Sequence, residues 1–331
     1  MNLDQYNYHL PEELIAQKAF SPRDHCKLLI LKNNKIIHKK FYNIIDYLES
    51  GDVLVINETK VKRCKLIGKK ESGSPVEVTL IKPLENNKFV ARVKGRNPYP
   101  GIKLYFQNNS AKIIKQDYDI FELEFDNEIK EEDCELLTPP YIKENVPEED
   151  YQTIYAKIPG SLAAPTAGLH FTPELLQKIA EKGIKIAKIQ LDISFETFLP
   201  IRDFEDHSTG KEYFSVDKEN ANIINSANGK LIAVGTTVVK CLESCDWKLN
   251  EDKKSNQIQA TTGISETFIK PGHQFKANIK AMLTNFHLPQ SSLLLLTSAY
   301  IGKELLLDAY NEAVKENYRF YTLGDAMLIF R

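Results

Sequence analysis

A chain of 331 residues with 42% hydrophobic and 27% charged side chains has the make-up of an ordinary soluble globular protein, long enough for one large domain or two ordinary ones. Its formal net charge of -2 excludes a global attraction to nucleic acid, so any RNA contact has to come from a local patch. The five cysteines, Cys26, Cys64, Cys134, Cys241 and Cys245, are scattered, no zinc pattern completes around them, and no metal is expected.

The opening, MNLDQYNYHLPEEL, lacks a basic region followed by an apolar stretch and does not read as a signal peptide. The longest apolar run, around Leu293 to Leu296, is far too short to span a membrane. A reduced, cytosolic monomer without membrane contact is the expectation. From about Asp52 to Leu137 the texture is a series of short β-type runs, DVLVIN, VEVTLI, KFVARV, IKLYF, AKIIK and DIFELEF, separated by ESGSP, ENN, RNPYPG, QNNS and DNE. Strands at this spacing without a helix between them predict a small barrel or sandwich. The two prolines of LTPPYI then end the ladder.

After about Tyr151 strand and helix alternate. Thr172 is a good N-cap, Pro173 suits the first helical position, Leu175, Leu176, Ile179 and Ala180 repeat at helical spacing, and Gly183 stops the helix. IKIAKIQLDI reads as a strand, Asp217 to Ala227 as a helix, LIAVG as a short buried strand, and Val238 to Glu243 and Lys303 to Asn317 as further helices. Alternation of this kind means an α/β body, with the β section inserted into it or appended to it.

Four stretches carry residues suited to chemistry. GSLAAPTAGLHFTPELLQ, Gly160 to Gln177, brings small residues, Thr166, Gly168 and His170 to the start of a helix. Gly168 is free to take angles closed to other residues, and His170 reads either as a working group over a cavity or as a packed ring. AVGTTVVKCLE runs a strand through Gly235, Thr236 and Thr237 into a helix, which is a place for an anion or simply a cap. LTNFHLPQSS sets Asn285 and His287 before a proline-enforced turn, and YRFYTLGDAM brings Arg319 near Asp325, which either serves a site or closes a turn after Gly324. Neither G-x-G-x-x-G nor a Walker sequence is present, so no standard nucleotide fold is indicated. The cluster Lys60, Lys62, Arg63, Lys65, Lys69 and Lys70 reads equally as a phosphate-binding patch or as solvated surface.

Together these stretches resemble the S-adenosylmethionine:tRNA ribosyltransferase-isomerase family of queuosine biosynthesis, nearly end to end. LPEELIAQ, RDHCKLLIL, GDVLVINETKVKRCKLIG, PPYI, YQTIYA, GSLAAPTAGLHFTPELL, AVGTTVVKCLE, FIKPG, LTNFHLP and YRFYTLGDAM follow in the family's order, and AAPTAGLHFT and TNFHLP are its most specific pieces. The change of texture divides the chain into an α/β body, 1–59 and 138–331, with a smaller, mostly antiparallel β-barrel domain inserted at 60–137, and the resemblance implies the same architecture. It implies S-adenosylmethionine as ribosyl-donor substrate, no other cofactor and no metal. The partner it implies is a tRNA bearing 7-aminomethyl-7-deazaguanine at the wobble position, converted to epoxyqueuosine as adenine and methionine depart.

Such chemistry needs a base at the acidic ribose 5′ carbon and a donor for the departing adenine. On this resemblance His170 and His287 are the expected proton-transfer or leaving-group partners. Thr166, Gly168, Gly235, Thr236, Thr237, Asn285, Glu212 and Asp325 are expected to bind substrate, and Lys60, Lys62, Arg63 and Lys65 to meet RNA phosphates. The chain departs from the family's pattern at LDISFETF, where Asp192 replaces a histidine and Ser194 and Glu196 replace glycines. It departs again at HSTGKE, which keeps His207 and Glu212 around Thr209 and Gly210, and at Lys27, Lys60 and Lys240, where arginines are usual. A non-catalytic tRNA-binding protein and an S-adenosylmethionine-dependent enzyme acting on a free nucleobase are the alternative readings.

Overall fold

The structure is a computed structural model that describes residues 3–144, 146–198, 201, 210–249 and 256–331. His207 and Thr209 lie outside the described residues. The chain divides into two compact units, Met1–Lys60 with Pro139–Arg331, and Val61–Thr138.

The first unit is an α/β body around a nine-stranded sheet. Its strands lie in the order Thr261–Ser265, Glu212–Val216, Lys185–Leu191, Val53–Asn57, Leu231–Val234, Ile279–Asn285, Ala326–Phe330, Lys27–Lys32 and Lys35–Lys40. The four strands from Lys185–Leu191 to Ile279–Asn285 are mutually parallel. The two central ones, Val53–Asn57 and Leu231–Val234, are buried on both faces, which is why DVLVIN and LIAVG read as unbroken apolar runs. DVLVIN, which begins the β-rich texture in the sequence, therefore belongs to the body. Alternate residues feed two cores. Val53, Val55, Ala233 and Met282 pack under the helices Lys218–Asn225, Thr236–Ser244, Ser292–Ile301 and Lys303–Lys315. Leu54, Ile56, Val234 and Leu283 pack with Phe41, Phe171, Leu175 and Ile179.

The predicted helix starts form as their chemistry dictates. Thr172 Oγ1 accepts from Leu175 N at 3.2 Å, and Asp217 Oδ1 accepts from Asn220 N at 2.7 Å. Two elements were not legible as periodic patterns. The helix Ser292–Ile301 is apolar on nearly every side, so it shows no amphipathic stripe. The hairpin Lys27–Lys32 to Lys35–Lys40 turns on Asn33 and Asn34, both at positive φ (52° and 57°), a two-residue connection whose twist matches paired strands.

The second unit is a closed six-stranded barrel of antiparallel neighbours, built from Lys65–Lys70, Pro75–Pro83, Lys88–Gly95, Lys103–Phe106, Ser110–Asp117 and Ile120–Phe125. Leu66, Val78, Ala91, Leu104, Ile113, Phe121 and Leu123 are buried in it, alternating with more exposed neighbours along most of the strands.

Candidate active site

Parallel α/β sheets offer ligand sites beyond the carboxyl ends of their strands, where the strand order reverses. Here the chain passes from Val53–Asn57 to Lys185–Leu191 on one side, then returns to Leu231–Val234 on the other. Beyond those ends lies a cavity of about 210 Å³, and its whole lining belongs to the body. Ile193 follows one strand, Gly235, Thr236 and Thr237 follow the next, Thr284 and Asn285 end the third, and His287 lies two residues beyond it. The small segment Ala163 to Ala167 contributes Thr166, and Tyr141, Tyr151 and Tyr321 add aromatic rings. Gly235 sits at φ 95°, so the strand-to-helix corner requires glycine. The helix that follows opens with first-turn N–H groups that have no intrahelical acceptor, and Thr237 Oγ1 is enclosed without a hydrogen-bond partner among the described residues.

His287 lines this cavity, and its backbone is clamped from both sides. Its N–H donates to Tyr310 Oη at 2.9 Å, and its carbonyl accepts from Tyr8 Oη. The ring Nε2 lies 2.8 Å from Thr284 Oγ1. Burial holds the ring neutral, with its pKa pushed down to about 3.

His170 does not reach the same cavity. It borders a separate space of about 20 Å³ beside Phe20, Arg23 and Asp150, and connects to the larger site through Asn285. Both amide hydrogens of Asn285 are committed, to Tyr321 O at 2.9 Å and Thr322 O at 3.2 Å, so its Oδ1 is an acceptor. His170 Nε2, 2.9 Å from that oxygen, must therefore carry the hydrogen. Nδ1 is left to accept from the Cys26 thiol at 3.2 Å. The thiol is held protonated by burial, and His170 is neutral for the same reason, with its pKa lowered to about 4. The geometry makes His170 and Asn285 a strut that ties the strand end to the 321–322 loop. That loop is itself strained: Tyr321, a bulky residue, sits at φ 72°, held by its N–H to Phe286 O at 3.0 Å.

Several expected site residues stand behind the lining. Gly168 is not at positive φ. Its role is close packing, because a Cβ there would collide with Tyr155 Oη. Glu212 is buried outside the lining, pairs with Lys240 Nζ, and accepts from Thr197 Oγ1 at 3.1 Å and Ser194 N at 3.2 Å. It reaches the cavity through Thr197, which lines it. Asp325 is also buried away from the cavity. Its oxygens pin Lys27 N at 2.7 Å and Arg319 N at 2.6 Å, so it fastens two chain segments, and burial raises its pKa. Asp192 accepts from Thr59 Oγ1 at 2.6 Å, and its carboxylate fills the place that a Cβ on Gly160 would occupy.

The basic cluster is not a uniform set of solvated cations. Lys65 pairs with Glu135 at 3.0 Å, Lys62 Nζ is 3.5 Å from the Ile81 carbonyl, and the buried Lys70 donates to the Arg96 and Asn97 carbonyls. Lys60 belongs to the body and Lys62, Arg63 and Lys65 to the barrel. Sequence reasoning missed Thr284 and the three tyrosines as cavity residues. PPYI and YQTIYA flagged two of the tyrosine segments, but the backbone turn that presents Tyr321 leaves no mark in composition.

An open α/β sheet with a histidine-bearing cavity at its strand carboxyl ends, its sequence interrupted by a closed barrel, defines a small-molecule-handling enzyme body. The model of the family described as queuosine biosynthesis protein matches residues 3–329. The chain belongs to that family. It is 42% identical to an S-adenosylmethionine:tRNA ribosyltransferase-isomerase of Staphylococcus haemolyticus, over 99% of this chain and 100% of the relative. It is 41% identical to the protein of the same name from a Sulfurihydrogenibium species, with the same coverage. A crystal structure of S-adenosylmethionine tRNA ribosyltransferase from Thermotoga maritima, 32% identical, aligns over 98% of this chain and 100% of that one with a TM-score of 0.57.

Proposed function

We infer that this chain moves the ribosyl part of S-adenosylmethionine onto 7-aminomethyl-7-deazaguanine at the tRNA wobble position and isomerises it to epoxyqueuosine, releasing adenine and methionine. The observation that carries the assignment of this cavity is its chemistry. Every residue lining it is neutral, three are tyrosines, and one is a histidine held uncharged. A sulfonium is a cation that aromatic faces accept without a fixed counter-charge. The first turn at Thr236 and Thr237 suits the carboxylate of the same molecule. His287 is the proton-transfer residue, while Asn285 and His170 act by holding the cavity wall. Thr166, Gly235, Thr236 and Thr237 position the donor, and Glu212 acts through Thr197. The enzyme works as a monomer in the cytosol, where its tRNA substrate resides.

The deciding experiment incubates protein, S-adenosylmethionine and precursor-bearing tRNA and follows adenine release and the new nucleoside by mass spectrometry. Both products are expected, and only when tRNA is present. Turnover of a free nucleobase without tRNA would replace this reading, as would tRNA binding with no adenine released.

For the RNA side, Lys60, Lys62, Arg63 and Lys65 remain the proposed phosphate ligands. Neutralising them together is expected to weaken tRNA binding and to flatten its salt dependence by about one unit of slope for each cation that meets a phosphate. The rate at saturating tRNA should change far less. An unchanged salt slope would return the cluster to ordinary surface.

A further inference from the structure

His287 has a single ring partner among the described residues, Thr284 Oγ1, 2.8 Å from Nε2. The same Oγ1 lies 3.2 Å from the Asn285 carbonyl oxygen. A hydroxyl has one hydrogen, and a carbonyl oxygen can only accept. A hydrogen between these two oxygens therefore comes from Thr284. Were that hydrogen given to His287 instead, two oxygens would face each other at 3.2 Å with lone pairs alone. One assignment satisfies both pairs: Thr284 O–H donates to Asn285 O, and His287 Nε2–H donates to Thr284 Oγ1. A neutral imidazole carries one N–H, so Nδ1 is bare. Nδ1 has no partner among the described residues and is not among the enclosed polar atoms that lack one, so it is the ring atom open to the cavity. Thr284 is only 1% exposed, which leaves no bulk water to take over its role.

We propose that Thr284 is a positioning residue that fixes His287 in the Nε2–H tautomer and thereby presents Nδ1 to the substrate as a proton acceptor. This rests on the reading of the cavity as the ribosyl-donor site. In that reading Nδ1 takes a proton from the ribose 5′ carbon, and the electron pair of the broken C–H bond stays on the carbon beside the sulfonium. The ring becomes an imidazolium whose Nε2–H still donates to Thr284. The backbone clamps from Tyr8 and Tyr310 hold the ring's anchor, so the tautomer is decided by the side-chain bond alone.

The test is nitrogen NMR of the histidine rings in the full-length protein, with the His287 signals assigned by their loss in His287→Asn. In the wild type Nε2 is expected to be protonated and Nδ1 bare. In Thr284→Val the ring is expected to change to the other tautomer or to a mixture. kcat should fall roughly 10- to 1000-fold while KM for S-adenosylmethionine stays within about threefold. Thr284→Ser keeps the hydroxyl and should restore both the spectrum and kcat, which separates the proposal from a packing defect in the valine variant. An Nδ1–H ring in the wild type, or an unchanged ring spectrum in Thr284→Val, overturns it. The spectra are read without substrate, so they decide the tautomer whether or not the reading of the reaction survives.

Discussion

Replacing His287 by asparagine is expected to lower turnover by roughly 100- to 10,000-fold, the usual share of a positioned acid or base. The affinity for tRNA should stay nearly unchanged, because the ring is buried in a cavity of the body whose lining residues carry no cation to hold phosphate. Asparagine keeps a hydrogen-bonding group near Thr284 but cannot take up a proton near neutral pH, so the loss should fall on kcat. A variant that turns over at the wild-type rate would remove His287 from the chemistry.

The same substitution has a pH signature in stability. The ring is held at about 3 in the folded protein, against about 6.5 in an unfolded chain. Between those values the unfolded state binds the extra proton, so this contribution is complete above about pH 6.5 and is lost as the pH falls toward about 3. His170, lowered to about 4, adds a second contribution of the same sign. Denaturant midpoints measured from pH 7 to pH 4 should therefore drop less steeply for His287→Asn than for the wild type. Equal steepness would mean that the ring is not held neutral by burial.

The largest effect on stability is expected at Lys240. Its ammonium pairs with Glu212 inside the body, with side-chain exposures of 7% and 1%. Lys240→Met removes the partner and leaves a buried carboxylate, a change that typically costs about 3–5 kcal/mol. A clear fall in melting temperature is expected, together with weaker binding of S-adenosylmethionine, since Glu212 also holds Thr197 at the cavity wall. Adding Glu212→Gln to Lys240→Met should recover part of the stability, because the second change removes the stranded charge. If the single variant melts with the wild type, the pair is not a buried charge pair in solution.

Local rules made much of the body readable. A cap at Thr172 or Asp217 and a glycine corner at Gly235 act over three or four residues, so the sequence states them directly. Alternation in KFVARV and DIFELEF likewise announces strands with one face inward, and those strands close into the barrel. Where every face is buried the period vanishes, which is why the helix Ser292–Ile301 was silent.

The site divides along the same line. Thr166, Thr236, Thr237, Asn285 and His287 were legible as site candidates from residue type and motif, and strand order brings all five to the lining of one cavity. What composition could not decide is the difference between His170 and His287. Both are buried and neutral, and both stand in motifs rich in small or turn-forming residues. Only the tertiary structure places one on the cavity wall and the other behind Asn285, because that depends on which carbonyls the 321–322 loop offers from 36 and 37 residues away. Glu212, Asp325 and Gly168 were expected at the substrate, and the structure sets them behind the cavity lining, against Lys240, the Arg319 N–H and Tyr155. Sequence determines which groups are available. Pairings across long separations determine which of them meet substrate, because a buried polar group is assigned its role by the partner that satisfies it.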